Sequence, residues 1–319
     1  MVDEAVARGA DVVCLSYYWF VGHSDGVKSP QLEEESRRLR RLVEQKEISP
    51  EEMHRRTLSL LAQPLPEGSP WAALADKASE HGVYIVGGSG PEKEGGKIYH
   101  TSPVFAPDGS FLGRHRKSIL WDREAIYVAP GDDWEVFDLG SCRIANPICS
   151  EGQYVPEITR LLALRGADVL VVPNGVHLSK EMLVAIPVTR AIECQSYYVM
   201  IGQSPRGFRF PEIPEYTSCI VSPLKHMDPV LAIGEDHSCI LLAELDIGRL
   251  RKEREMKTPV VKEYSVGNAV NDMVLGKYSY PMLTEHFLKA QNYSVLMKKY
   301  VSELNRKQQE TLPERLVST

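Results

Sequence analysis

Residues 144–175 read IANPICSEGQYVPEITRLLALRGADVLVVPNG and predict three consecutive elements. A short apolar strand ends at Cys149. A helix over Pro156–Arg165 follows, because its leucines and isoleucine recur at helical spacing and Gly166 then stops it. A second strand, Asp168–Val172, is apolar on both faces, as parallel strands covered by helices are. The stretch therefore predicts a βαβ unit.

Cys149 lies at the carboxyl end of the first predicted strand, the edge at which open α/β sheets bind ligands. A thiol that faces a cleft is a candidate nucleophile. A free cysteine is also commonly a small, buried, apolar residue. The local sequence is compatible with both roles.

The composition restricts the class of protein. The chain has 319 residues, of which 43% are hydrophobic and 25% charged, as in globular proteins with a large core. A net charge of −6 without a basic block argues against nucleic acid as a partner. No apolar run approaches the roughly 20 residues that span a bilayer, and the N-terminus has no apolar signal segment. We therefore expect a cytoplasmic protein without a membrane partner.

The cysteines are scattered, with no Cys-x-x-Cys pair and no histidine at metal-ligand spacing. They are Cys14, Cys142, Cys149, Cys194, Cys219 and Cys239. This pattern argues against a zinc site and against a disulfide framework. We expect no metal and no cofactor.

Helices and strands are predicted to alternate along the rest of the chain. Predicted helices cover Val2–Arg8, Gln31–Glu47, Trp71–His81 and Lys180–Cys194. Predicted strands cover Asp11–Leu15, Val83–Val86, Tyr197–Gly202, Ser218–Ser222 and Ile240–Leu245, with a hairpin over Lys97–Arg114 whose first strand is Thr101–Ala106. Alternation of this kind favours a layered α/β sandwich with its helices outside.

Several segments, in one order, resemble the carbon–nitrogen hydrolase (nitrilase) superfamily over roughly residues 2–260. The nucleophile region of that family is matched by Arg143–Arg160 and Arg165–Asp168. Its lysine loop is matched by Lys117, Glu124 and Pro130-Gly131, and its later segments by Arg190–Glu193, Ser218–Pro223 and Glu244–Asp246. Because several motifs agree in order, the resemblance is specific.

The resemblance implies a four-layer αββα sandwich, usually paired through helices into dimers. It implies cofactor-free hydrolysis of a small amide, N-carbamoyl compound or nitrile. We therefore expect a carbon–nitrogen hydrolase domain over 1–265, a partly helical C-terminal extension over 266–319, and a homodimer or higher homo-oligomer. The family's usual first strand precedes the position of Val2, so the sheet is expected to lack it.

The resemblance also implies roles for particular residues. Cys149 attacks the substrate carbon and forms a thioester. Lys117 favours the thiolate and stabilises the oxyanion. Glu124 is a second acid on the lysine loop, and Glu151, Tyr154 and Asn174 are candidates for the substrate pocket. The pattern Pro156-Glu157 followed by Arg160 favours amides over nitriles.

One position departs from the family pattern. The general-base glutamate of the family falls on Tyr17 when Gly9-Ala10-Asp11 is laid on the family motif. A phenol with an ordinary pKa near 10 is a poor base at neutral pH. One hypothesis is an active amidase in which Glu124 or Glu151 is the base, or in which Tyr17 helps as a tyrosinate. The alternative is a catalytically impaired homologue that binds an amide-like ligand or serves as an assembly subunit.

Overall fold

The computed structural model describes residues 1–19, 30–175, 180–202, 218–224, 227–234 and 239–255, with the single positions 298, 299, 302, 303 and 306. The helices are α1 (Val2–Ala7), α2 (Pro30–Glu44), α3 (Pro50–Leu61), α4 (Ser69–His81), α5 (Ser150–Tyr154), α6 (Pro156–Leu164), α7 (Lys180–Cys194) and α8 (Ile247–Glu255), with a 3₁₀ turn over Asp122–Ile126. The strands are β1 (Val12–Cys14), β2 (Tyr84–Val86), β3 (Gly90–Glu94), β4 (Lys97–Phe105), β5 (Phe111–Arg116), β6 (Phe137–Asp138), β7 (Arg143–Ala145), β8 (Val169–Asn174), β9 (Tyr197–Gly202), β10 (Cys219–Val221) and β11 (Val230–Ile233).

Within these residues the strands form two sheets. The first sheet has the order β1-β2-β4-β3, and β5 also pairs with β4. The second has the order β11-β10-β9-β8-β7-β6, in which β7, β8 and β9 are parallel. The predicted βαβ unit is therefore confirmed, with β7 and β8 as its strands and α6 on its crossover. The predicted end of the first strand is wrong, because β7 ends at Ala145 and Cys149 lies beyond it, directly before α5. A short helix that the sequence did not predict, α5, starts directly after Cys149.

Alternating side chains on the strands show how the layers stack. In β8, Val169 and Val171 pack in a core that includes Val86 and Val104 of the first sheet. The intervening Leu170 packs with residues of α6 and α7 instead. On the first sheet, residues of β2 and β4 pack in the same way against α1 and α4. Since strand side chains point alternately to the two faces, the layers follow the order α-β-β-α. The predicted four-layer sandwich is confirmed.

The start of β8 is tied to α8 by buried charge. Asp168 is almost fully buried and accepts a hydrogen bond from the backbone of Arg143 at 2.9 Å. It also accepts from Arg251 at 2.6 Å and from Arg254 at 2.8 Å. A buried carboxylate needs such partners to offset its desolvation. The ion pairs fix the strand that leads to the edge at which Cys149 lies.

Two other predictions concern the late strand and the C-terminal extension. The predicted strand Ile240–Leu245 is wrong, because β11 pairs with β10 instead and Leu242 is exposed. A short continuous apolar run does not by itself specify a strand. The extension over 266–319 lies mostly outside the described residues, so its boundary stays a prediction. Among the helices the structure describes, none is both long and apolar enough to cross a membrane.

The carboxylate of Glu151, in α5, joins the two sheets. From β5 it accepts a hydrogen bond from His115 Nε2 at 2.7 Å. From the segment that follows β5 it accepts from the Ser118 amide at 2.6 Å and hydroxyl and from the Ile119 amide at 3.2 Å. From the segment that follows β7, in the second sheet, it accepts from the Ile148 amide at 3.0 Å. The side chain is completely buried. Burial raises the pKa of Glu151, but His115 and the other donors outweigh it, so the net pKa lies below its ordinary value.

We expect Glu151→Gln to destabilise the fold by about 3 kcal/mol, since an amide has one acceptor oxygen and its NH₂ would face the donors that the carboxylate now satisfies. Urea unfolding measures the loss. Glu157→Gln, on the exposed side of α6, is the matched control and should change stability by less than about 0.5 kcal/mol. Equal stability of the two variants would show that Glu151 does not hold the sheets together.

Candidate functional site

Cys149 lies at a sharp bend between β7 and α5. Its backbone has φ 52° and ψ −112°, a left-handed region that non-glycine residues seldom adopt. The Cys149 amide donates to the Pro173 carbonyl of β8 at 2.8 Å, which fixes the bend against the neighbouring strand. Strained backbone of this kind persists where the surrounding structure enforces it, and it occurs often at functional sites.

The thiol of Cys149 is in a mixed electrostatic environment. The residue is 5% exposed, and burial raises the pKa of its thiol. The Lys117 ammonium and the backbone N–H groups of Ser150 and Gly175 lower the pKa without cancelling the effect of burial, whereas Glu124 adds to it. The structure therefore places Lys117 and Glu124 close enough to Cys149 for their charges to act on its thiol. The free site favours the neutral thiol at neutral pH.

Lys117 and Glu124 form a buried ion pair. Lys117 Nζ donates to Glu124 Oε2 at 2.6 Å, and Lys117 is 1% exposed. The Trp121 amide donates to the same oxygen at 2.9 Å, and His100 Nδ1 donates to Oε1 at 2.8 Å. Burial raises the pKa of Glu124, but Lys117 and His100 outweigh it and lower the pKa to about 2. Burial likewise lowers the pKa of Lys117, but Glu124, with Cys149 and Glu151, raises it by more, so the ammonium persists.

These contacts bear on which carboxylate can act as the general base. Glu124 accepts from donors on both oxygens, and a carboxyl with a pKa of about 2 is a weak base. Glu151 is engaged between the sheets by donors that also lower its pKa. Neither group has the raised pKa that suits a base at neutral pH. Their contacts indicate structural and electrostatic roles.

Tyr17 is next to this ion pair, on the segment after β1. Its ring lies 4.7 Å from that of His100, between ring centroids. A Cβ atom on Gly175 would meet the Tyr17 ring at 2.7 Å, so Tyr17 also borders the segment after β8. Burial, followed by the charges of Glu124 and Cys149, raises the pKa of Tyr17 well above 10. The phenol therefore remains neutral, which disfavours the tyrosinate hypothesis.

His100, in β4, is a buried polar residue that the sequence analysis did not select. Since Glu124 is ionised and can only accept, His100 Nδ1 carries the proton of their bond. Burial lowers the pKa of His100 more than Glu124 raises it, so the ring is neutral. Its Nε2 then accepts from the Ser89 hydroxyl at 2.9 Å. The signal was the run His100-Thr101-Ser102, three consecutive polar residues in a strand that is buried on both faces.

The three predicted pocket residues have different surroundings. Asn174 Oδ1 lies 3.8 Å from Cys149 Sγ and accepts from Gln153 Nε2 at 2.6 Å. Tyr154 is 40% exposed, and its ring packs at 5.8 Å against Trp121, which is 60% exposed. Asn174 therefore borders the sulfur, and Tyr154 lies on the surface beside the lysine loop. Glu151 is enclosed between the sheets.

In the described part of the chain, the side chains that could gather round a metal ion are Asp3, Glu80 and His81, an exposed group on α1 and α4. Lys77 Nζ lies 2.7 Å from Asp3 Oδ1 and supplies a cation there already. The group lies outside the Cys149 site. Nothing in its geometry points to a bound ion.

Comparisons with known proteins agree with this fold. Residues 1–252 match the family model described as carbon-nitrogen hydrolase. The chain is 30% identical to the omega-amidase NIT2 of Mus musculus over 210 residues, which cover 61% of this chain and 73% of that protein. It is 35% identical to a nitrilase of Pyrococcus abyssi over 198 residues, which cover 61% and 71%.

A solved structure with a similar fold is a variant of the amidase from Nesterenkonia sp. AN1, with the acetamide moiety of fluoroacetamide added covalently at its active site cysteine. The TM-score is 0.52 at 16% identity, and the match covers 74% of this chain and 77% of that one. At this identity the likeness shows the fold alone. From the family match over residues 1–252, the chain belongs to the carbon–nitrogen hydrolase family.

Proposed function

We propose that the chain hydrolyses the C–N bond of a small amide or N-carbamoyl compound, and less readily a nitrile, through a thioester on Cys149. The observation that carries the proposal is the buried Lys117 ammonium, whose charge acts on the Cys149 thiol at a strained bend. An ammonium beside a thiol favours the thiolate and can stabilise an oxyanion. No metal or cofactor is needed for this reaction.

The reaction has two stages. The Cys149 thiolate attacks the amide carbon, and a C–S bond forms while the carbonyl oxygen becomes an oxyanion beside Lys117. The C–N bond then breaks, and the departing nitrogen takes up the proton that the Cys149 thiol lost on forming the thiolate, so that it leaves as ammonia or an amine. Water attacks the resulting thioester, which releases the carboxylic acid and returns the thiol.

The phenol of Tyr17 changes the charge of this pocket. With Tyr17 neutral, Lys117 and Glu124 balance one another, whereas an acid at position 17 would add a negative charge. The absence of that charge favours the thiolate by Coulomb's law. The site thus lacks an acid at this position but also lacks the repulsion that the acid would exert on the thiolate. Turnover is then expected to follow the thiolate fraction and to rise with pH.

The hypothesis of an impaired homologue has no support in the comparisons, since the relatives are named as enzymes. We favour amides over nitriles because omega-amidases are among the similar proteins, and because the pattern Pro156-Glu157 followed by Arg160 points the same way. A cytoplasmic location belongs to the same proposal. The six cysteines are all free thiols, as expected in a reducing compartment.

Ammonia release from a panel of aliphatic amides, N-carbamoyl compounds and nitriles tests the proposal. Cys149→Ala should lower turnover of the best substrate to below about 0.1% of the original rate, because it removes the nucleophile. Mass spectrometry of the quenched enzyme should show the acyl group on Cys149. Cys194→Ala, at another buried thiol, is the matched control. Turnover that survives Cys149→Ala would overturn the nucleophile, and no turnover of any panel member would overturn the activity.

Substitutions at Tyr17 test whether this position accepts a base. Tyr17→Phe should retain kcat within about tenfold, because a neutral phenol is not the base. Tyr17→Glu should raise kcat near neutral pH, since burial beside Glu124 raises the pKa of a new carboxyl toward that range. Tyr17→Gln is the control of equal size without an acid. A loss of 10²-fold or more in Tyr17→Phe would instead assign the phenol a direct role.

We also propose that the chain forms a homodimer through the outer helical layer. Met182 and Ile192 of α7 are each 47% exposed, and large exposed apolar side chains are common at subunit contacts. Light scattering at micromolar concentration should give twice the mass of one chain. Ile192→Lys should shift it toward the monomer, and Leu112→Lys, at an exposed residue of β5, should not. A monomeric original protein would contradict the proposal.

A further inference from the structure

We propose that His100 is the positioning residue of the Lys117–Glu124 pair, aiming the Glu124 carboxylate so that the Lys117 ammonium stays beside Cys149. His100 Nδ1 lies 2.8 Å from Glu124 Oε1, and Lys117 Nζ lies 2.6 Å from Glu124 Oε2. The inference rests on the proposed function, because it concerns the same site. It assigns a role to a residue that is outside the thiol, ammonium and carboxylate set.

The geometry of a carboxylate explains why a second anchor is needed. Its two oxygens are coplanar, and the terminal torsion of a glutamate is broad and weakly restrained. A bond to one oxygen alone leaves that plane free to turn. His100 fixes Oε1, while the Trp121 amide and Lys117 engage Oε2. Hydrogen bonds to both oxygens fix the plane of the Glu124 carboxylate. The orientation of that plane then sets the direction in which the Lys117 ammonium is held.

The imidazole is itself held firmly. His100 is completely buried, and Ser89 Oγ lies 2.9 Å from its Nε2. The rings of Tyr17 and Tyr18 pack against it at 4.7 and 4.5 Å between centroids. The Ser89 hydroxyl thus completes a directional chain in which Ser89 donates to His100 and His100 donates to Glu124. Packing and hydrogen bonds together leave the ring one orientation.

The consequence reaches Cys149 through Lys117. The Lys117 ammonium is the largest factor that lowers the thiol pKa, and its effect depends on its distance from the sulfur. If Glu124 turns, Lys117 moves with it, because an almost fully buried ammonium follows its counter-ion. His100 therefore influences Cys149 indirectly, through Glu124 and then Lys117. Its loss is expected to change kcat more than KM.

His100→Asn and His100→Leu form a matched pair, since the two side chains are similar in size and Asn alone carries an NH₂ where His100 has Nδ1. Two measurements are made on the full chain: kcat and KM on the best amide, and the pH dependence of Cys149 alkylation by iodoacetamide. His100→Leu should lower kcat by about 10- to 100-fold with little change in KM. It should also raise the apparent thiol pKa by about one unit. His100→Asn should remain within about threefold of the original kcat.

The pH profile of alkylation tests the role of His100 separately from the proposed amide hydrolysis, because alkylation of Cys149 does not require turnover of a substrate. A protein that is alkylated at Cys149 but hydrolyses no amide overturns the proposed function, and the shift in His100→Leu still tests the role of His100. Equal kcat and equal alkylation profiles in both variants would overturn the positioning role. Thermal unfolding of each variant is the folding control. If His100→Leu does not fold, Ser89→Ala replaces it, and an unchanged kcat there together with an active His100→Gln would overturn the proposal.

Discussion

The structure depends on one buried carboxylate, that of Glu151. It accepts hydrogen bonds from β5 of the first sheet, from the segment after β5 and from the segment after β7 of the second sheet, and it has no exposed surface. Taking a carboxylate out of water costs several kcal/mol unless donors replace the lost hydration, so the backbone around Glu151 is held at fixed distances. Ser118 follows Lys117 directly, and Ile148 precedes Cys149. The same interaction therefore sets the lysine loop against the bend that carries the thiol.

A second buried network, formed by Lys117, Glu124 and His100, also depends on hydrogen bonds that offset the desolvation of charged groups. Lys117, Glu124 and His100 are enclosed together, and each satisfies the charge or polar atoms of the next. In low-dielectric surroundings such bonds are strong and geometrically specific. Their cost in desolvation is offset only when every member is in place. The network fixes a cation beside Cys149 and keeps Glu124 ionised far below neutral pH.

Tyr17 affects the net charge of the pocket around Cys149. It is neutral, buried and packed on His100, at the position where the family pattern has an acid. The described pocket therefore contains a balanced Lys117–Glu124 pair rather than an excess of negative charge. Burial keeps the Cys149 thiol protonated in the free site, and Lys117 opposes that effect. The balance between these two factors determines how much thiolate the site provides.

The sequence by itself determined the layered α/β fold and the βαβ unit, which follow from local periodicity and from stop signals such as Gly166. The choice of Lys117 and Glu124 as site residues came from the resemblance of ordered motifs to the family and stays a prediction. The tertiary structure alone decided the roles of Glu151 and His100, because their partners lie 36 and 24 residues away in the chain. Hydrogen bonds between distant segments, and the pKa shifts that burial causes, have no local signature. They form only when segments that are distant along the chain pack against one another.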